Sequence, residues 1–284
     1  MRKLGFLTLF GFSLCLPTLT TSPRGGPSPR KIDIEELRRG VGFIPTPVFS
    51  EEEDSRILKL FEGLRVSDVA DGLDSLGLYH VGRVNPAIQP LWRDTVKFTH
   101  RIVGIAVTVR YVPTRERRHP GGQGYDKWVG KAYMEETPEP FLSLLRPGTC
   151  LVIEEAEGLD IGSIGSNNIM QWKLKGCVGV VTNGNARDTD EIIAERIPLY
   201  FRGPGRGIRP GRNQIESVNR PVVIGGATVV PGDVIVADGD GVLVVPRKFA
   251  EEVALYARKI LIRDKASRRI LYQKLGLPED ESVR

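Results

Sequence analysis

Residues 176–191, Gly-Cys-Val-Gly-Val-Val-Thr-Asn-Gly-Asn-Ala-Arg-Asp-Thr-Asp-Glu, constrain the fold of this chain more than any other stretch. The apolar run from Cys177 to Val181 has the pattern of a buried strand. It stops at Thr182-Asn183-Gly184, where Asn and Gly tolerate the positive φ of a tight turn. One cation and three acids then crowd together, Arg187, Asp188, Asp190 and Glu191, ahead of the amphipathic Ile192-Ile193-Ala194. Two readings are open. Acids in a first helical turn complement the helix dipole, so the charges need mark no more than a helix start. Alternatively, open α/β sheets bind ligands at the carboxyl ends of strands, where an adjacent Arg and Asp can hold an anion and a divalent metal side by side.

The residues before this strand sharpen the second reading. Gly165-Ser166-Asn167-Asn168 leads into Ile169-Met170-Gln171-Trp172-Lys173-Leu174-Lys175. Ser166 or Asn167 is the expected N-cap, and Gly176 stands where the helix should stop. The N-terminus of that helix offers free backbone N–H groups to a carboxylate or phosphate. If the strand runs back along its helix, Arg187 and Asp188 come close to those groups. The candidate substrate-binding residues are therefore Gly165, Ser166, Asn167, Asn168 and Arg187. Arg187 and Asp188 are the candidate catalytic residues, and Asp188 is the candidate metal ligand.

Here the chain resembles the regulator of ribonuclease activity A family, whose enzyme branch comprises class II pyruvate aldolases such as 4-hydroxy-4-methyl-2-oxoglutarate aldolase. The family motif places a Gly about twenty residues before Arg-Asp and an acid three positions after the Asp; Gly165, Arg187-Asp188 and Glu191 fit it, with the gap about one residue long. Three further stretches are similar: residues 66–73 to its N-terminal helix, 102–110 to its first core strand and 231–246 to its C-terminal hairpin. The resemblance spans residues 55–262. Four segments in the right order point to the family, but not to one activity, because the family mixes aldolases, decarboxylases and regulators. Three departures stand out. Many members carry an acid just after the motif Gly, where this chain has Ser166, so that any role in holding metal water is vacant or passes to Asp160 or Glu191. Residues 111–140 form a long polar insertion, and the N-terminus carries a leader.

The leader opens with Arg2 and Lys3, runs apolar from Leu4 to Leu16, and carries no further charge until Arg24. This is the pattern of a secretory signal peptide, expected over residues 1–22. The apolar run of roughly thirteen residues is short of the ~20 that span a membrane, so no stable membrane anchor is expected. The expected location is outside the cytoplasm after cleavage, or cytoplasmic if the leader is not functional. Residues 23–50 read as linker and N-terminal extension, and 51–284 as a single aldolase-like domain.

Composition narrows the function classes. With 40% hydrophobic and 26% charged residues, this is an ordinary globular chain. Its net charge of +5 is too mild to mark a nucleic-acid binder, and no nucleic acid is expected as partner. Cys150 and Cys177 lie in apolar runs and read as buried thiols. His80, His100 and His119 do not cluster, and no Cys/His metal spacing exists. Any metal would be a hard ion held by oxygen, Mg²⁺ or Mn²⁺.

Along the chain, apolar residues at helical spacing mark a helix at 51–64, and Ser67 is the expected cap of a second. Strand-like runs fall at 102–111, 149–154, 177–182, 221–224, 234–237 and 242–245, and a closing helix at 247–275. Asp238 and Asp240 in Ala-Asp-Gly-Asp-Gly read as hairpin-turn residues. The loop 201–212 holds Arg202, Arg206, Arg209 and Arg212, either as a solvated loop or as an anion-binding one. The insertion around His119, Tyr125 and Trp128 reads as a subunit-contact or surface loop, or as a lid.

The expected architecture is an α/β fold with a β-sandwich or barrel-like sheet flanked by helices. The resemblance implies its swivelling β/β/α form, assembled as a homotrimer or hexamer with sites between subunits. It also implies divalent-metal-dependent C–C lyase chemistry, retro-aldol cleavage or decarboxylation, on a small 2-oxo acid with release of pyruvate. Asp188 would hold the metal, Arg187 the keto oxygen or carboxylate, and metal-bound water would accept the proton. The alternative is a non-catalytic regulatory or small-acid-binding protein on the same fold; the substitution at Ser166 favours it and the intact Arg187-Asp188 pair opposes it. No glycine-rich loop of the dinucleotide type follows a first strand, which argues against a methyltransferase.

Overall fold

The computed structural model describes residues 33–115 and 121–284. The expected signal peptide at 1–22, the linker before residue 33 and His119 lie outside the described residues. The chain divides into two compact units, one up to Phe43 and one from Ile44 to Arg284. The described part of the first holds α1 (Ile34–Arg39), whose Glu36 N–H donates to the Asp33 carboxylate at 2.7 Å.

The second unit alternates helices with strands. Its helices are α2 (Glu51–Phe61), α3 (Val66–Ser75), α4 (Tyr125–Glu135), α5 (Ser166–Leu174), α6 (Thr189–Ala194) and α7 (Ala250–Leu275). Its strands are β1 (Gln89–Pro90), β2 (Ile102–Pro113), β3 (Thr149–Glu154), β4 (Gly162–Ile164), β5 (Cys177–Thr182), β6 (Asn185–Ala186) and β7 (Leu199–Phe201), followed by β8 (Gly203–Pro204), β9 (Asn213–Val218), β10 (Val222–Ile224), β11 (Ala227–Val229), β12 (Val234–Asp238) and β13 (Gly241–Val245).

The main sheet runs β1-β7-β5-β3-β2-β12-β13. Its centre is parallel, β2 against β3, β3 against β5 and β5 against β7. Its margins are antiparallel. The long strand β2 is the hub. Its start pairs with β12 and its end with β9, both antiparallel, while its middle pairs parallel with β3, so one strand joins ladders of both kinds. This is the expected α/β architecture, with a nearly closed, barrel-like sheet flanked by helices.

Side-chain alternation explains how the sheet is filled. Successive residues of a strand face opposite sides. Ile102 and Ala106 of β2, Cys150 and Val152 of β3, Val181 of β5, Ile235 of β12 and Val244 of β13 share one cluster, closed by Val222 and Ile224 of β10. The intervening residues face the helices. Val107, Leu151, Ile153 and Val180 pack with Ile169 and Trp172 of α5 and Ile192 of α6. Ile105, Val236, Leu243 and Val245 pack with α2, α3 and α7 through Phe61, Leu73 and Val253. Strands buried on both faces read as unbroken apolar runs, which is why these were visible in the sequence.

Local signals explain the ends of several elements. Ser50 and Glu53 form a reciprocal capping box at α2. The expected cap at Ser67 is corrected: α3 begins at Val66, with Arg65 at the cap position. Two carboxylates replace the missing hydroxyl. Asp68 accepts the Arg65 N–H at 2.9 Å, and buried Asp238 accepts the Val66 N–H at 2.9 Å. Asp238 closes its hairpin opposite Gly241 as expected, with Gly239-Asp240 as the turn, and it also caps a distant helix. Cys150 and Cys177 are buried free thiols. Among the described residues no helix is long and apolar enough to cross a membrane.

Candidate functional site

β5 ends at Thr182, and Asn183 fixes the turn beyond it. The Asn183 Oδ1 accepts the Glu155 N–H at 2.8 Å, while its Nδ2 donates to the Glu155 carbonyl at 3.0 Å. The chain then forms β6, which lies parallel between β4 and β8 in a small three-stranded sheet. The Arg187 N–H donates to the Ile164 carbonyl at 2.8 Å. This second sheet sets Arg187 and Asp188 beside the start of α5.

Close approach requires two glycines here. A Cβ at Gly162 would lie 2.6 Å from the Arg187 Cβ, and a Cβ at Gly165 would lie 2.9 Å from Asp188 Oδ2. At Gly162 a side chain would also meet the Gly205 carbonyl at 2.7 Å and has no room, whereas at Gly165 it would have to push the Asp188 carboxylate aside.

The N-cap of α5 is Gly165, not Ser166 or Asn167 as expected, and no side chain of its own caps the helix. Asp188 does so from a distance of 22 residues in sequence: its Oδ2 accepts the Ser166 N–H at 3.2 Å. A carboxylate against a helix N-terminus is the favourable pairing of charge and dipole. Asp188 adopts the left-handed region, φ 55° and ψ 40°, and makes no side-chain bond to α6, the helix it precedes. These charges do open a helix, with Asp188 at the N-cap of α6 and Asp190 and Glu191 in its first turn, but the Asp188 side chain serves the other helix. Strain of this kind costs roughly 1–3 kcal/mol and is concentrated at functional sites.

Asp188 Oδ1 makes no hydrogen bond to any described residue, and the side chain is 39% exposed. Arg187 is equally accessible, with Nε 3.9 Å from Asp188 Oδ2. Among the described residues no three His, Cys, Asp or Glu side chains cluster as metal ligands. Asp188 is the carboxylate the turn offers to an ion. A hard ion that keeps most of its waters, as Mg²⁺ does, fits such a donor set, and a soft or structural metal does not. The glycine-lined recess that a Cβ would fill is consistent with the same group. Asp160 does not supply a second oxygen: it accepts the Arg206 N–H and Nε–H, both at 2.9 Å. Glu191 is exposed.

Asn167 is exposed, whereas Asn168 turns inward and its Nδ2 donates to Glu139 at 2.8 Å. Glu139 is a hub the sequence did not reveal. Its other oxygen accepts the Trp172 Nε1–H at 3.0 Å, and Arg209 donates to it and to the Tyr111 hydroxyl. So α5 is held at its first and second turns by one carboxylate from the 111–140 insertion. Of the four arginines in the 201–212 loop, Arg209 is buried and structural. Arg202 and Arg206 pair with Glu157 and Asp160, at 2.8 and 2.9 Å, and Arg212 bonds the Ile208 carbonyl. These contacts give the loop a structural account. Burial is the largest influence on Arg209 and pulls its pKa down, but Tyr111, Glu139 and Glu155 outweigh it and the net shift is upward.

Below this hub lies Glu155, fully buried. The Ser163 hydroxyl donates to its Oε2 at 2.7 Å, and Asn213 Nδ2 donates to Ser163 Oγ at 3.2 Å. Glu155 Oε1 and Asn213 Oδ1 have no hydrogen-bond partner among the described residues. Burial pushes the Glu155 carboxyl up to about 7, against the lowering effect of the Ser163 bond. A cavity of about 610 Å³ opens on the adjoining segment, between Asp160-Ile161 and residues 206–212.

Comparison with known proteins bears on the family and the fold. A model of RraA-like proteins, Aldolase/RraA, matches residues 66–244. The chain belongs to the Aldolase/RraA family. A Halalkalibacterium halodurans protein whose name proposes 4-hydroxy-4-methyl-2-oxoglutarate aldolase activity is 31% identical over 206 residues, 72% of this chain and 82% of that protein. Protein DlpA of Legionella pneumophila is 28% identical over 74% of this chain, but the matched region is only 31% of DlpA's length. The fold matches Streptomyces coelicolor RraAS2, described as an unusual member of the RNase ES inhibitor RraA family, with a TM-score of 0.61 and 24% identity over 78% of this chain and 99% of that one.

Proposed function

We propose that this protein is a divalent-metal-dependent C–C lyase acting on small 2-oxo acids, cleaving or decarboxylating them to release pyruvate. The observation that carries the reading is Asp188, strained, exposed and anchored by one oxygen to the N-terminus of α5 while the other is free. Asp188 would hold the ion, which when bound supplies Lewis-acid chemistry to the substrate. Arg187 presents a guanidinium beside it, suited to pair with the substrate's carboxylate or keto oxygen and to offset negative charge developing there. The Asn167 and Asn168 N–H groups remain in the first turn of α5 to receive a carboxylate. Glu139, through Asn168 and Trp172, holds that turn in place.

Names of relatives support the lyase class. Assembly as a homotrimer or hexamer, with sites between subunits, and export guided by the leader belong to the same proposal. Sequencing the mature N-terminus tests the export; an intact Met1 on a cytoplasmic protein would refute it.

Asp188→Asn is expected to lower turnover about a hundredfold or more, because a neutral amide binds a hard divalent ion poorly. A chelator should abolish activity reversibly, with Mg²⁺ or Mn²⁺ restoring it. The measurement is pyruvate release from a panel of 2-oxo acids. Unchanged turnover in Asp188→Asn at saturating metal removes Asp188 from the reaction. Ser166 favours a second reading, a small-acid-binding protein that retained the site without the chemistry. Oxalate binding with metal, and no cleavage of any 2-oxo acid, would establish it.

A further inference from the structure

A second charged cavity shares no lining residue with the Arg187–Asp188 turn. It holds about 840 Å³ and is lined by Arg65, Lys97, Arg101, Lys265 and Arg268, with Glu281 the one lining acid. Its floor includes Leu261, which belongs to the cluster under α2, α3 and α7. Ile164 and Ala186, which flank the Arg187–Asp188 turn, belong to the cluster on the α5 side.

Part of the positive charge is already matched. Arg65 bridges Asp68 and Asp264 at 2.6 and 2.7 Å, and Lys265 donates to the Arg284 main-chain oxygen at 2.6 Å. Glu281 is turned to Arg284 at 3.6 Å. Lys97, Arg101 and Arg268 form no ion pair with any described residue. Arg268 hydrogen-bonds the neutral Ser282 and Tyr272, with the Asp280 carboxylate near enough to interact with it electrostatically. Arg101 lies over the Phe98 ring at 4.0 Å, and its Nε–H is buried without an acceptor among the described residues. Burial holds the Arg101 guanidinium below its ordinary pKa.

The loop that presents two of these cations is rigidly built. The Asp94 carboxylate accepts the Val96 and Lys97 N–H groups at 3.0 Å and the Thr99 hydroxyl at 2.7 Å. This closure leaves Phe98 at φ 57°, a conformation costly for an aromatic residue. The desolvated Arg101, with its Nε–H left over, thus stands in one cavity with the exposed Lys97 and the half-buried Arg268.

We propose that this cavity binds a phosphorylated small molecule, its phosphate held by Lys97, Arg101 and Arg268. A phosphate monoester concentrates nearly two negative charges and three acceptor oxygens on one group, which matches three cations converging from a loop and a helix. The Arg forks donate to its oxygens bidentately, and Lys adds a point charge. The volume is that of a metabolite-sized site, so an organic part fits beside the phosphate. The site is independent of the lyase proposal.

Calorimetry on the full chain with pyrophosphate, inorganic phosphate and oxalate as probes tests it. Pyrophosphate is expected to bind, more weakly as salt rises. Lys97→Ala and Arg268→Ala should each weaken it about tenfold or more, with circular dichroism unchanged, and Asp188→Asn should leave it intact. No pyrophosphate binding at low salt, or binding that survives the folded Lys97→Ala/Arg268→Ala double variant, overturns the site. Loss in Asp188→Asn would place the anion at the lyase turn instead. Oxalate binding as tightly as pyrophosphate, and lost in the same variants, would overturn the phosphate assignment. None of these readings depends on turnover.

Discussion

The Arg187–Asp188 turn and the Glu139–Arg209 hub beneath it use the same chemistry to opposite ends. Both set an arginine against a carboxylate near α5. At the turn the two side chains are more than a third exposed and sit 3.9 Å apart, a loose pair worth little by itself. In the hub Arg209 is 3% and Glu139 14% exposed, and every contact goes to another protein group. The loose pair is free to engage something else, while the tight pair is fully committed to holding α5. An ion pair in this protein is thus a candidate for function where it is exposed and strained, and a structural tie where it is buried and satisfied.

That contrast can be broken by experiment. The largest effect is expected from Arg209→Met. Removing one partner of a buried pair leaves the other charge stranded and costs about 3–5 kcal/mol. Chemical denaturation should register that loss, while Arg187→Met should change stability by less than about 1 kcal/mol. Similar losses in the two variants would erase the distinction.

Glu155 offers the next test. Its carboxyl titrates near 7 in the folded protein, against the usual 4.5. A raised acid pKa means the folded state holds the proton more tightly. The associated stability is present below pH 4.5 and is lost as pH rises to about 7. At 1.36 kcal/mol per unit this amounts to roughly 3 kcal/mol. The melting temperature should therefore fall between pH 5 and 8 by more in the parent than in Glu155→Gln, which keeps the shape and cannot ionise. Parallel pH profiles would mean that Glu155 is solvated or otherwise paired.

The smallest effect, and the most local, is expected from Gly165→Ala. The new Cβ would meet Asp188 Oδ2 at 2.9 Å and displace the carboxylate. The backbone there is extended, at φ −111°, so no conformational strain arises. Turnover should fall about tenfold, or 1.4 kcal/mol, with stability changed by less than about 1 kcal/mol. Unaltered turnover would show that the position of Asp188 does not matter to the reaction.

Much of this molecule was legible in its residues. The strands at 149–154 and 177–182 fall where their apolar runs predict, because both faces are buried and the pattern is unbroken. The helix from 166, its stop before Gly176 at φ 97° and the 234–245 hairpin followed from local turn chemistry. The proximity of Arg187 and Asp188 to α5 followed from one strand running back beside its helix. The β4-β6-β8 sheet did not, because its strands are two or three residues long and carry no periodic signal.

Sequence alone determined the family and the course of the core strands and singled out the Arg187–Asp188 pair, since each rests on residues adjacent in the chain. Only the tertiary structure decided what those residues touch. Asp188 caps a helix 22 residues upstream, Asp238 caps one 172 residues upstream, and Glu139 reaches Asn168, Trp172 and Arg209 across gaps of 29, 33 and 70 residues. Such pairings leave no periodicity to read. They are settled when the sheet curls and brings separate carboxylates to donors that burial would otherwise leave unsatisfied.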